Sequence, residues 1–160
     1  MKKIFDFLIK QFPNHEIVIL EDDSLAEIIN TFGKDNIKVY YDSDDDFSPY
    51  ILSFAFQHVH LCDEEAVIDY INDIISGNLF SIEFFHNGQR CFGGDITADR
   101  LKELSYKALE RYTGYYGGTK LIECADMFKV RGWNSNNNFD ATFVIDGDGN
   151  NKKDRLIYGI

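Results

Sequence analysis

The stretch SFAFQHVHLCDEE, residues 53–65, carries His58, His60 and Cys62 at alternate positions. Imidazole and thiolate are the usual ligands of zinc and of several other transition metals. On an extended strand, a period of two turns Leu52, Phe54, Phe56, His58, His60 and Cys62 to one face. That face begins apolar, so the histidines lie near its end. The next strand ends at His86. If strands 50–59 and 78–86 run parallel, His58, His60 and His86 share one end of a sheet, where open α/β sheets place their sites. Glu83 or Asp63 then completes a metal-dependent enzyme centre. Against it, no HExxH or PCxxC element accompanies the run, and no general base stands at a defined spacing. The preferred expectation is that His58 and His60 are structural, with no metal, no cofactor and no catalytic residue.

Other candidate motifs fail on their own terms. DGDGNNKKD offers Asp146, Asp148 and Asn150 at calcium-loop spacing, but Asn151 replaces the required glycine and Ile157 the bidentate glutamate. GYYGGTK departs twice from a phosphate-binding loop. No GxSxG occurs, and neither Ser-His-Asp nor Cys-His catalysis has a local signature.

The charge is informative. The chain has 160 residues and a net charge of −11. Residues 1–80 hold sixteen acidic against five basic side chains, and residues 81–160 hold eleven of each. Two clusters stand out: Glu21, Asp22 and Asp23, and then Asp42, Asp44, Asp45 and Asp46. Asp63, Glu64 and Glu65 have a local reason, because acidic groups favour the first turn of a helix. Without a basic stripe to neutralise phosphates, nucleic-acid binding is excluded as an expectation. An acidic cluster instead attracts basic proteins and speeds encounter with them. The segment YYDSDDDFSPY adds Tyr40, Tyr41, Phe47 and Tyr50, aromatic anchors of the kind that dominate interface affinity.

The elements that would position these groups follow from periodicity. Helices are predicted over about 2–12, 23–31, 63–76 and 97–112. The first places Phe5, Leu8, Ile9 and Phe12 on one side. Strands are predicted over 15–20, 37–42, 50–59, 78–86, 89–96, 121–130, 139–146 and 154–160. Asn87-Gly88 and Asp148-Gly149 mark hairpins. Pro49 stops a strand from running through 40–50, so that segment is an exposed connector. The whole predicts a single α+β domain over 1–160: a mostly antiparallel or mixed sheet of about six to eight strands with about four helices. Neither a membrane span nor a secretory signal is read, which with three reduced, buried cysteines points to the cytoplasm.

A small, acidic, aromatic-rich cytosolic domain without a catalytic motif resembles, in overall profile, the immunity proteins of bacterial polymorphic and contact-dependent toxin systems. The resemblance implies a non-enzymatic inhibitor that covers the active cleft of a cognate toxin domain, such as a basic nuclease. Carboxylates there stand where substrate phosphates would lie. The expected partner-binding residues are Glu21, Asp22, Asp23, Tyr41, Asp42, Asp44, Asp45, Asp46 and Phe47.

Overall fold

The computed structural model describes residues 5–20, 24–102, 115–116, 119–120, 125–143 and 156–159. Within them the chain is α+β, built on two antiparallel sheets with three α-helices.

The first sheet is a meander of β1 (Ile17–Leu20), β2 (Leu25–Ile28), β3 (Ile37–Tyr41), β4 (Tyr50–Phe54) and β5 (Gln57–Leu61), each pairing with the next. Its inner face carries Ala26, Ile28, Ile37, Val39, Leu52 and Phe54, all buried. Two helices close over this core. One is α1 (Asp6–Gln11), which brings Leu8. The other is α2 (Glu64–Ser76), which brings Val67, Ile71 and Ile74 at helical spacing. The side chain of Asp63 caps α2 by accepting from the Ala66 N–H at 2.8 Å. Gly77 ends it in the left-handed conformation, φ 75°.

The second sheet has the order β12-β11-β10-β6-β7, formed by β6 (Leu79–His86), β7 (Gln89–Thr97), β10 (Met127–Arg131), β11 (Phe139–Phe143) and β12 (Leu156–Gly159). A short pair, β8 (Tyr115–Tyr116) and β9 (Thr119–Lys120), forms a separate hairpin, and α3 (Ala98–Lys102) follows β7. One face of the second sheet buries Phe80, Ile82, Phe84, Ile96, Phe128, Val130 and Ala141 in a second core.

The sheets meet at Trp133 and at the β4–β5 turn. Trp133, just after β10, is buried in the first core against Phe54. Its carbonyl accepts from the Asn30 side chain at 2.8 Å. The β4–β5 turn reaches the second sheet, where the Phe56 N–H donates to Ser81 Oγ and the Phe56 carbonyl accepts from Arg90. The backbones close to van der Waals contact here. A Cβ on Gly33 would lie 2.7 Å from Asn30 Nδ2 and 2.8 Å from the Trp133 carbonyl, and one on Gly93 would lie 2.8 Å from the Phe56 carbonyl.

Several sequence expectations are corrected. Residues 25–28 form a strand, not a helix: pairing with β1 and β3 outweighs the cap-like Ser24 and the spacing of Leu25, Ile28 and Ile29. Strand 50–59 is two strands reversed by a turn at Ala55 (φ 51°) and Phe56, with Phe54 facing Gln57. The residues therefore do not share one face. Ile51 and Ser53 stand beside His60 and His58 on the outer face, whereas Leu52 and Phe54 point into the core. No parallel pairing occurs among the described strands. Ile9 is half exposed instead of joining Leu8. Cys62 is exposed and Cys91 only partly buried, so neither is a core thiol. Other expectations agree with the structure: α2 and the strand after it, β6, match, and Asn87 and Gly88 turn the β6–β7 hairpin with φ of 49° and 76°. Glu21–Asp23, Cys124, most of helix 97–112 and the 148–149 turn lie outside the described residues. Among the described residues no helix is long and apolar enough to cross a membrane.

Candidate interaction surface

The loop joining β3 to β4, residues 42–49, is folded by its own carboxylates. The Asp42 N–H donates to the Pro49 carbonyl at 2.7 Å and closes the loop. Asp42 Oδ1 accepts from the Asp44 N–H at 3.0 Å. Asp45 Oδ1 accepts from the N–H groups of both Phe47 and Ser48, at 2.9 Å each. The Ser48 and Phe47 N–H groups hold the Asp45 carboxyl below its ordinary range. Because the shift is downward, the ionised form favours the folded loop. That preference is present above the ordinary value of 3.8 and fades as pH falls through the lowered one.

The four aspartates thus divide. Asp42 and Asp45 shape the loop, as Asx turns do. Asp44 and Asp46 are exposed, and neither carboxylate has a partner among the described residues. Phe47 stands beside them, 87% exposed. Tyr41 and Tyr50 behave differently. Their rings meet at 5.3 Å, and Tyr50 packs edge-on against Phe7 of α1. Burial first, and then the Glu64 carboxylate, push the Tyr50 hydroxyl up to about 12. Tyr41 therefore belongs to the core side of β3, and of the aromatic residues expected at the surface Phe47 is the one that faces solvent.

β5 returns to the same end of the sheet, because Leu61 pairs with Tyr50. It delivers Asp63 and the first turn of α2, so Asp63, Glu64 and Glu65 join the loop's acidic field. The Ala66 N–H and the Cys62 thiol lower the Asp63 carboxyl. The remaining expected site residues, Glu21, Asp22 and Asp23, lie outside the described residues.

His58 and His60 lie on the outer face of β5, both exposed, with rings 5.8 Å apart. His60 is close enough to Asp45 to be felt electrostatically. His86 lies in the other sheet, beside Asn87 and Asp126. The three histidines do not gather, and no group of three metal-ligating side chains converges among the described residues.

Sequence reasoning missed a second polar cluster. On the face of the second sheet opposite its core, Glu83 faces Lys129 across β6 and β10, with Ser81 facing Arg131. The Glu83 side chain is 6% exposed and pairs with Arg90. Burial pushes its carboxyl up despite the pull of Arg90, Lys129 and Arg131. Arg131 bonds Asp140 at 2.8 Å and covers the Phe56 ring. Tyr70 of α2 donates to Asp95 of β7 at 2.8 Å. The charged groups pair with one another within the second sheet, and the cluster meets the rest of the fold through Phe56 of the β4–β5 turn and Tyr70 of α2. The alternation in SIEFFH shows that Glu83 faces away from Ile82 and Phe84. The residue that meets its partners Arg90 and Arg131 is Phe56, remote in sequence.

No protein-family model, curated protein or solved structure matches the chain.

Proposed function

We propose that the chain is a non-enzymatic binding module that receives a basic protein on the acidic end of its first sheet. One observation carries the reading: Phe47, 87% exposed, stands beside Asp44 and Asp46, exposed and without a partner among the described residues, on a loop whose shape is fixed by Asp42 and Asp45. A preformed loop loses little entropy on docking. The carboxylates supply long-range attraction, and Phe47 supplies an apolar anchor to bury in the partner. Asp63, Glu64 and Glu65 extend the same field. Within this reading the chain acts as an immunity protein, covering the cationic active cleft of a toxin domain and occupying its phosphate positions with carboxylates. The −11 net charge supports that direction of complementarity.

The test uses the product of the adjacent gene. Its basic domain should bind this chain, lose its toxicity when co-expressed with it, and associate more slowly as salt rises. Replacing Asp44 and Asp46 with Asn, and Phe47 with Ala, should leave the fold intact. The aspartate changes should reduce the association rate by roughly tenfold at low salt, and the phenylalanine change should mainly raise dissociation. Native kinetics in all three variants would refute the placement of the interface. Toxicity undiminished by co-expression would refute the immunity role.

A further inference from the structure

Among the described residues, the first sheet has an open edge at β1. The Ile29 N–H donates to the Glu16 carbonyl at 2.9 Å, which makes Glu16 and Ile29 a hydrogen-bonded pair. In an antiparallel ladder such pairs alternate with non-bonded ones. With Ile17 facing Ile28 and Ile19 facing Ala26, the N–H and C=O groups of Ile17 and Ile19 therefore point away from β2. No described strand pairs with that side of β1. Strand edges in soluble proteins are usually blunted by lysine, proline, a bulge or a cover. The β7 edge has such protection: the register slips between Phe84 and Phe85, which puts a bulge in the ladder. β1 has none. Its sequence is Ile-Val-Ile-Leu, and Leu20 is 41% exposed.

We infer that the outer edge of β1 is a strand-addition site for an extended segment of the basic partner, which rests on the reading above. Two outward N–H groups and two outward C=O groups, set in alternation, are matched only by another extended backbone. Charge selects which one. Glu16 precedes β1, and Glu21, Asp22 and Asp23 follow it directly in the chain. The complementary occupant is a short segment with alternating apolar side chains and lysine or arginine at its ends. A second copy of this chain is disfavoured, because it would add the same acidic flanks and another −11 of net charge.

The probe is a synthetic peptide, acetyl-Lys-Lys-Val-Thr-Val-Thr-Lys-Lys-amide, added to the full chain and followed by amide hydrogen exchange. At about 1 mM it should slow exchange at the Ile17 and Ile19 amides by roughly fivefold, the factor set by one plus the ratio of ligand to Kd. N-methylation of the valines that face the edge should abolish the effect. A version with glutamate in place of the lysines should give none. Unprotected Ile17 and Ile19 amides at that concentration overturn the inference, whether the peptide is silent or binds elsewhere. Binding that protects residues 42–48 alone, and is lost in D44N/D46N, removes the edge site and leaves the acidic docking surface standing. Peptide-independent protection that grows with protein concentration would make β1 a contact between copies, and it also overturns the proposal.

Discussion

Replacing Gly33 with Ala should weaken the joint between the two sheets. The added methyl would stand 2.7 Å from Asn30 Nδ2 and 2.8 Å from the Trp133 carbonyl, the two ends of one buried hydrogen bond. Neither end has room to yield. Asn30 is fixed by two further bonds, to the Asp35 carbonyl and from the Phe32 N–H. Trp133 is packed between Phe54 and His15. Losing the bond leaves a buried amide and a buried carbonyl short of a partner, a cost of about 1–3 kcal/mol. Steric displacement adds roughly 1 kcal/mol or more. The sum is about 2–4 kcal/mol. For a chain of this size that lowers Tm by roughly 4–16 °C. Urea unfolding followed by tryptophan fluorescence measures it directly. Asn30→Ala provides the internal control: in that background part of the obstruction is gone, and Gly33→Ala should cost roughly 1 kcal/mol less. A Gly33→Ala protein within about 0.5 kcal/mol of the parent would refute the close approach of the 30–33 loop to Trp133.

Three further outcomes are expected. Gln57 is 6% exposed on the inner face of β5, and neither amide atom has a partner among the described residues; Gln57→Met should stabilise the chain by about 1–2 kcal/mol in chemical denaturation, and a loss of that size would show that the amide is satisfied. Arg90→Met should cost about 2 kcal/mol at high pH, where an ionised Glu83 loses its closest cation in a buried site. The burial-raised Glu83 carboxyl takes up its proton as pH falls, so the penalty should shrink with falling pH, and a pH-independent penalty would show that the guanidinium acts through packing and its bond to the Phe56 carbonyl. Asp45→Ala should unfold the 42–49 loop locally, seen as faster exchange at the Phe47 and Ser48 amides, whereas Asp44→Ala should leave both unchanged.

Local signals carried much of the architecture. α2 declares itself through Asp63 as cap, apolar residues spaced to one face and Gly77 as stop. The β6–β7 hairpin declares itself through Asn87 and Gly88. The aspartates and Pro49 mark the 42–49 loop, and the structure places an exposed loop there. What was hidden depends on partners distant in sequence. Leu25–Ile28 has helix-like spacing and a capping residue before it, and it becomes a strand because β1 and β3 both pair with it. The turn at Ala55 and Phe56 contains no glycine, asparagine or aspartate, so nothing local announces the left-handed φ at Ala55. The division of labour among the four aspartates was equally invisible. Composition counts charges, and only the loop's hydrogen bonds show that Asp42 and Asp45 are spent on shape.

The contrast between the two sheets also orders events in time. Every pairing in the first sheet joins strands adjacent in the chain, so each closes a short loop and the meander can zip from any hairpin. The second sheet must join Phe84 to Phe128 before its centre exists, a closure more than forty residues long. The first sheet should therefore form early and wait. Its core would stay incomplete until β10 arrives, because Trp133 is carried in behind that strand. As the chain's single tryptophan, it turns the closing of the seam into an optical signal: a fast phase silent in its fluorescence, then a slower one that the indole reports.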